Sequence, residues 1–402
     1  MKGLKDFTQS GHSPTLLVSF VYFSVSVMVW VLFGALGVYV AKDFGLTASQ
    51  QGFLVAIPML GGALVRVPMG ILVDRIGAKK TGVVGQLIVL VPLVAAWRWG
   101  ASLPAMAAFG LLLGAAGGSF AVALPLASRW YPPRHQGLAM GIVGAGNGGT
   151  VLAALLAPRL AEGVGWREVF GWALVPVALT LALFTLLAKE SPAPPAPRPL
   201  RAYFKIWRER DFLGFCVLYG FTFGGFVGLA SFLLIYFHDR YGASMVTAGN
   251  LTAVCALLPS LLRPVGGYVA DRFGGVPALR LLLVGAAVGL AGVAGAGSLA
   301  AAVAVLGATM GLLGMGNGAI FQMVPQRFGD RIGAATGGIG AAGGIGGFLL
   351  PSALGVLRET TGNYASGFLA LAVAGLGCLG LLLLLHGRWK SEPTAEELTL
   401  AD

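Results

Sequence analysis

An all-α membrane protein of twelve transmembrane helices is the fold class this sequence predicts, and three observations predict it. Of its 402 residues 56% are apolar and only 11% charged, with a mean hydropathy of +0.82. That balance lies far outside soluble chains. The charged clusters divide the chain into twelve stretches, each near the roughly 20 apolar residues a helix needs to cross a bilayer. The first half is also repeated in the second.

The spans fall near residues 15–40, 50–73, 81–97, 103–128, 137–160, 168–188, 212–237, 246–270, 278–296, 300–325, 333–357 and 365–386. A membrane β-barrel is excluded because the stretches lack apolar–polar alternation and are about twice as long as a membrane strand. The first apolar run exceeds a signal-peptide core and is followed by eleven more, so it reads as a spanning helix that is not cleaved.

The net charge of +11 raises nucleic-acid binding, but the location of the basic residues argues against it. Along these spans 19 of the 27 lysines and arginines fall at the N-terminus, in the even-to-odd loops and at the C-terminus, and 6 in the alternate loops. Cytoplasmic segments carry such an excess, so both termini are expected in the cytoplasm. Cys216, Cys255 and Cys378 all lie within spans and read as small packing residues.

One connection is long: Lys189 to Asp211 contains SPAPPAPRPL followed by YFKIWRERD. Proline-rich sequence is extended and semi-rigid, and this stretch separates six spans from six. The expected organisation is an N-terminal bundle over 1–188, a cytoplasmic linker over 189–211 and a C-terminal bundle over 212–402. The repeat supports it. Span 2 ends Arg66-Val-Pro-Met-Gly70-Ile-Leu-Val-Asp74-Arg75-Ile-Gly77, and span 8 ends Arg263-Pro-Val-Gly-Gly267-Tyr-Val-Ala-Asp271-Arg272-Phe-Gly274. Five identities share one offset, 66 to 263, of 197 residues. Glycine ladders recur in span 5 (Gly141 to Gly149) and span 11 (Gly337 to Gly347). Two parallel halves with a central site between them are a carrier architecture.

An arginine at mid-membrane costs at least about 2.5 kcal/mol and must face protein or water. Arg66 precedes Asp74 by eight residues, roughly 12 Å along a helix whose aspartate marks its end, and so lies deep in a core about 30 Å thick. The repeat gives Arg263 the same depth. Every Asp and Glu lies in a loop, a tail or at a span end, so no intramembrane carboxylate neutralises the pair. Two planar guanidinium forks suit a planar oxyanion. Structural packing is the competing reading, and two unpaired buried cations fit it poorly.

The chain resembles the major facilitator superfamily along its whole length, by Gly70-x-x-x-Asp74-Arg75-x-Gly77-x-Lys79-Lys80, which looks like the superfamily's signature loop. Narrower features resemble its nitrate/nitrite porter family: Arg66 and Arg263, the run Gly-Ala-Gly146-Asn147-Gly-Gly in span 5, and Gly343-Gly-Ile-Gly-Gly-Phe348 in span 11. The resemblance implies a multi-pass carrier of the inner (plasma) membrane, acting as a monomer, that moves nitrate and nitrite by alternating access; it covers both coupling modes, and exchange of nitrate for nitrite is expected because a bound anion halves the charge of an otherwise unpaired arginine pair. It further implies an aromatic clamp on Phe33, Phe120, Tyr219 and Phe223, with Asn147, Gly146 and Gly344 beside the ligand. Gly344 stands where an asparagine symmetric to Asn147 would fall, so the two ladders are chemically unequal. Asn317 and Gln322 of span 10 are further candidates for the same cavity. Asp74, Arg75 and Lys79 read as a cytoplasmic latch between helices, with Asp271 and Arg272 as its weaker copy.

Three other readings remain. Nitrate–proton symport competes with exchange. An organic-anion exchanger of oxalate/formate type competes on substrate. An enzyme would need a nucleophile, metal cluster or acid–base pair at membrane depth, and His12, His135, His238 and His386 all lie at span ends or in tails. Neither metal nor cofactor is expected.

Overall fold

The computed structural model describes residues 7–190, 205–328 and 331–391. The proline-rich part of the linker, the outermost termini and their basic residues lie outside these. Among the described residues, twelve helices are long and apolar enough to cross a membrane. They are α1 (Ser13–Phe44), α2 (Ala48–Ile76), α3 (Ala78–Trp99), α4 (Leu103–Ser128), α5 (Leu138–Val164) and α6 (Trp166–Leu187), then α7 (Arg210–Tyr241), α8 (Met245–Phe273), α9 (Gly275–Ala294), α10 (Leu299–Phe328), α11 (Ala335–Thr361) and α12 (Ala365–Trp389). They form the two pseudo-symmetric six-helix bundles that the repeat implies. No strand occurs among the described residues.

Local sequence sets the turns. Thr47 caps α2 through a reciprocal box with Gln50, and Ser102 and Ser244 cap α4 and α8. Gly77 and Gly274, at φ 93° and 91°, make the corresponding sharp turns after α2 and α8, a backbone region that favours glycine. In the N-terminal half two spans contain 3-10 stretches, Gly114–Ser119 in α4 and Ala145–Gly148 in α5. The tighter winding re-aims carbonyls away from the helix axis.

Glycine brings helices together where the site forms. A Cβ on Gly61 would stand 2.0 Å from the Leu111 carbonyl oxygen of α4, and one on Gly114 2.4 Å from Gly61 Cα. The second half repeats this closeness between α8 and α10, where a Cβ on Gly266 would stand 2.0 Å from the Met315 oxygen. Small residues are the usual means of such approach in membranes. The α11 ladder serves two neighbours at once. Gly343 and Gly346 press on α7, while Gly344 and Gly355 press on α2 of the other half.

Beyond these central contacts, the described residues of the two halves also meet closely at one end. At the end opposite Asp74, a Cβ on Gly52 of α2 would stand 2.5 Å from the Pro351 oxygen of α11, and one on Gly249 of α8 2.4 Å from the Ala154 oxygen of α5. The Glu359 carboxylate of α11 accepts the Ser49 N–H of α2 at 2.8 Å, and Arg159 donates to Asn250 at 2.9 Å. The bundle is thus closed at that end, while a cavity of about 330 Å3 runs from Arg66 to Asp74 at the other.

These contacts predict unequal tolerance of glycine substitution. Gly61→Leu should destabilise the α2–α4 crossing by about 1–3 kcal/mol or more, lowering the unfolding temperature of purified protein. Gly377→Ala, where a Cβ meets nothing within 4 Å, should leave it unchanged. Equal behaviour of the two would contradict the glycine-mediated packing.

Candidate functional site

Arg66 is 2% exposed and held by two backbone carbonyls. Its Nε donates to Gly117 O at 3.0 Å in the 3-10 stretch of α4, and its Nη1 donates to Gly340 O of α11. One guanidinium therefore ties the two halves together. Around it stand three aromatic faces, with the guanidinium carbon 5.1 Å from the rings of Trp30 and Phe223 and 5.7 Å from that of Phe120. Ring quadrupoles at this range attract cations by about 0.5–2 kcal/mol. They offset part of the desolvation without neutralising the charge.

Arg263 lies across Phe120. Its guanidinium carbon is 5.7 Å from the Phe120 ring and 5.5 Å from that of Phe321, so Phe120 borders both arginines. The Tyr219 hydroxyl lies close enough to interact with both charges. Arg263 Nη1 is buried and makes no hydrogen bond among the described residues. The two cations are therefore held unequally: Arg66 is tethered, and Arg263 retains a donor for a further acceptor.

Tyr219 and Phe223 are four residues apart on α7 and stack at 5.1 Å and 7°, as helical spacing allows. Gly343 of α11 makes room for them, since a Cβ there would stand 2.7 Å from the Tyr219 ring and 2.8 Å from that of Phe223. Asn147 is buried in the 3-10 stretch of α5, which packs against α1 and α8. That stretch thus lies between α1 and the arginine-bearing span of the other half.

Three expected contacts are placed elsewhere. Phe33 packs edge-on against Phe170 of α6 at 5.3 Å, because it points into the N-terminal half; Trp30, three residues earlier, reaches Arg66 in its stead. Gly146 faces Phe23 and Ser24 of α1, and Gly344 faces Met59 and Ala63 of α2. Both are close-packing positions. Phe321 and Trp30 were not singled out from sequence. Phe321 follows Asn317 by four residues and shares its face, a usable signal. Trp30 had none, because its seat is made by distant residues: its indole donates to Pro58 O at 2.7 Å and lies where Cβ atoms on Gly62 and Gly117 would clash.

Of the remaining polar candidates, Asn317 is buried with an unpartnered Oδ1, and Gln322 points toward Gly275 of α9. Asp74 pairs with Arg129 of α4 at 3.4 Å, a link within one half. Lys79 and Ala78 give their backbone N–H groups to Glu190 at 3.0 and 2.9 Å. Arg75 is exposed. The second copy differs, since Asp271 and Arg272 are exposed and Arg272 meets Tyr268 and Phe273 of its own helix end. The arginine placed like Arg129, Arg327, instead approaches Asp211 at 4.0 Å and covers Trp389 at 4.1 Å.

Two related helix bundles enclosing a charged, aromatic-walled centre define a polytopic membrane protein of the two-bundle class. The family model described as Major Facilitator Superfamily matches residues 18–351. A "Nitrite extrusion protein" of Bacillus subtilis is 32% identical over 363 residues, 89% of this chain and 91% of that one. A "Probable nitrate/nitrite transporter NarK2" of Mycobacterium tuberculosis is 33% identical over 406 aligned positions, covering 96% and 99%. A "Probable nitrate/nitrite antiporter NarK1" of Thermus thermophilus is 30% identical over 385, covering 86% and 85%. Among solved structures, the partially occluded inward-open xylose transporter XylE of E. coli shares the fold, with a TM-score of 0.75 at 14% identity over 96% of this chain and 100% of that one. The chain belongs to the Major Facilitator Superfamily and, within it, to the nitrate/nitrite porter family.

The unequal seating of the arginines predicts unequal stability effects. Arg66→Gln strips two buried carbonyls of their donor and should cost about 1–3 kcal/mol. Arg263→Gln removes a cation whose Nη1 has no protein acceptor and should lower the unfolding temperature in anion-free buffer less than Arg66→Gln does. The reverse order in thermal denaturation would contradict this geometry.

Proposed function

We propose that this protein carries nitrate and nitrite across the inner (plasma) membrane by alternating access, acting as a monomer, and that it does so by exchange. The carrying observation is the pair Arg66 and Arg263 on either side of Phe120, with an unpartnered Arg263 Nη1. A planar oxyanion with several acceptor lone pairs matches paired guanidinium donors, and the aromatic walls favour a small anion over a dicarboxylate. The names of the relatives, nitrite extrusion protein and nitrate/nitrite transporter, point to the same substrates.

In this reading the anion enters along the cavity from Asp74 to Arg66 and bridges the two arginines. Tyr219 and Phe223 cover it, and Asn147 contributes an amide donor from α5. The division into bundles 1–188 and 212–402 joined by the linker 189–211 supplies the moving parts. With both termini cytoplasmic, as the distribution of basic residues supports, the open end faces the cytoplasm. Asp74 with Arg129, and Lys79 with Glu190, brace the cytoplasmic ends of the N-terminal bundle during the movement.

Exchange follows from charge. Closing the cavity on two cations in a water-poor centre is unfavourable, and one bound monovalent anion halves the net charge while supplying acceptors. The loaded carrier therefore reorients faster than the unloaded one. The Thermus thermophilus relative is named an antiporter.

Arg66→Lys and Arg263→Lys should each reduce nitrate uptake into proteoliposomes by 100-fold or more, in rough terms, because lysine keeps the charge and loses the fork. Uptake near the unmodified level in either variant would remove the assignment. Excess formate or oxalate should not compete; competition would favour an organic-anion carrier.

Coupling is read separately. Vesicles loaded with nitrite should take up labelled nitrate at least about tenfold faster than anion-free vesicles, with or without an inward-acid pH gradient. Fast entry into anion-free vesicles that depends on the gradient would replace exchange by symport.

A further inference from the structure

A second polar cavity, of about 200 Å3, lies in the C-terminal half at the end opposite the signature loops. Its frame includes Tyr236, Asp239 and Arg240 from the last turns of α7 and Arg358, Tyr364 and Phe368 from the junction of α11 with α12. The end of α9 closes it on a third side. Helices α9 and α12 pack chiefly against each other and against helices of their own half. The cavity is therefore framed within the C-terminal half and lies off the path past Arg66 and Arg263.

Its charges are not spent on one another. Asp239 accepts a hydrogen bond from the Tyr364 hydroxyl at 3.0 Å and has no cation within 4.0 Å among the described residues. The Arg358 guanidinium covers the Tyr364 ring at 5.2 Å and donates to Gly362 O, and that of Arg240 lies 5.8 Å from Tyr241. Neither guanidinium has a carboxylate partner there. The Tyr236 and Tyr241 hydroxyls are 3.2 Å apart, and Tyr241 is anchored to Ala296 O at 3.0 Å, which fixes the aromatic wall. Directly along α12 from Phe368, the exposed side chains are the apolar Leu369 and Val373.

Two guanidinium groups without a carboxylate partner, a carboxylate without a cation partner and aromatic faces form a receptor for a zwitterion: an anion that accepts forked N–H donors, beside a cation that a carboxylate and ring faces attract. The position at the ends of spanning helices is that of lipid headgroups. We propose that this cavity binds a phosphoethanolamine group, supplied by phosphatidylethanolamine of the surrounding leaflet. Arg240 and Arg358 hold its phosphate, Asp239 and the tyrosine faces hold its ammonium, and the acyl chains lie along Leu369 and Val373. This site is independent of the transport reading above.

The test is native mass spectrometry of the full-length protein in detergent with phosphatidylethanolamine, phosphatidylcholine or phosphatidylglycerol of identical acyl chains. Choline differs from ethanolamine only by methyl groups that abolish the N–H donors to Asp239. Phosphatidylethanolamine adducts should exceed both others by about tenfold, the effect of one charge-assisted hydrogen bond. Asp239→Asn should erase that preference, and Arg358→Gln should reduce adducts of all three lipids. If Asp239→Asn does not give monodisperse protein, Tyr364→Phe, which keeps the ring and removes the hydroxyl that orients the Asp239 carboxylate, should reduce the same preference. Equal adducts with all three lipids, or a preference that survives every one of these variants, would overturn the proposal. Free O-phosphoethanolamine at the lipid's concentration should leave the adducts intact; their displacement would reject the lipid as source in favour of a soluble ligand.

Discussion

Burying positive charge without an acid is the constraint around which the rest of this bundle is arranged. A membrane interior disfavours a guanidinium by several kcal/mol, and soluble proteins usually meet that cost with a carboxylate. Here the nearest carboxylate along α2 is Asp74, two turns away and engaged with Arg129. Carbonyl oxygens and ring faces take the acid's place around Arg66. Such groups weaken the charge's penalty while leaving its field intact, which is what a site selecting anions requires. A carboxylate would have stabilised the arginine and cancelled the attraction.

Supplying carbonyls and rings to one side chain requires close backbones, and this explains where the glycines fall. The Gly117 carbonyl can turn toward Arg66 because α4 winds as a 3-10 helix over Gly114–Ser119, and α4 can come close because Gly61 and Gly114 carry no Cβ. Trp30 can lie over the guanidinium because Gly62 and Gly117 leave it a slot. The glycine ladder of α11 performs a related task on the other half, where Gly343 admits Tyr219 and Phe223 while Gly340 offers its carbonyl. Glycine thus acts in this chain less as a flexible residue than as room for side chains of neighbouring helices.

How much of this was legible in sequence depended on whether the cause was local. Twelve spans, the offset of 197 residues and the arginine pair follow from hydropathy and repetition along the chain, and each is visible in the structure. The contacts that decide which aromatic reaches which arginine are made between helices far apart in sequence. Phe33 and Trp30 differ by less than one helical turn, and only the direction of α1 relative to α2 and α4 tells that the second faces Arg66 and the first Phe170. Gly146 and Gly344 lie within motifs that the family resemblance ties to the site, but a motif does not state which residue is lining and which is packing. The repeat also over-predicted symmetry. Asp271 copies Asp74, yet Arg327, the counterpart of Arg129, is drawn to Asp211 and Trp389, because the second half has an acidic residue at the start of α7 that the first lacks at the start of α1.

That asymmetry bears on how the halves move. At the closed end the two bundles are joined by weak, separable contacts: glycine crossings, one amide–guanidinium hydrogen bond, and the Glu359 carboxylate against the N-terminus of α2, where unsatisfied N–H groups favour negative charge. Beside the Gly52–Gly355 crossing the Phe53 and Phe348 rings meet edge-on at 5.8 Å, and parting the helices there exposes these rings together with backbone that water can solvate and a carboxylate that water can hydrate. At the open end the ion pairs Asp74–Arg129 and Arg327–Asp211 each lie within one half, so they brace the bundles as units and do not hold the halves apart or together. Among the described residues, the buried hydrogen bond that crosses between halves at the centre is Arg66 to Gly340. It involves the same guanidinium proposed to hold the anion, and under that proposal occupancy of the site and the relative position of the two bundles would be coupled through a single side chain.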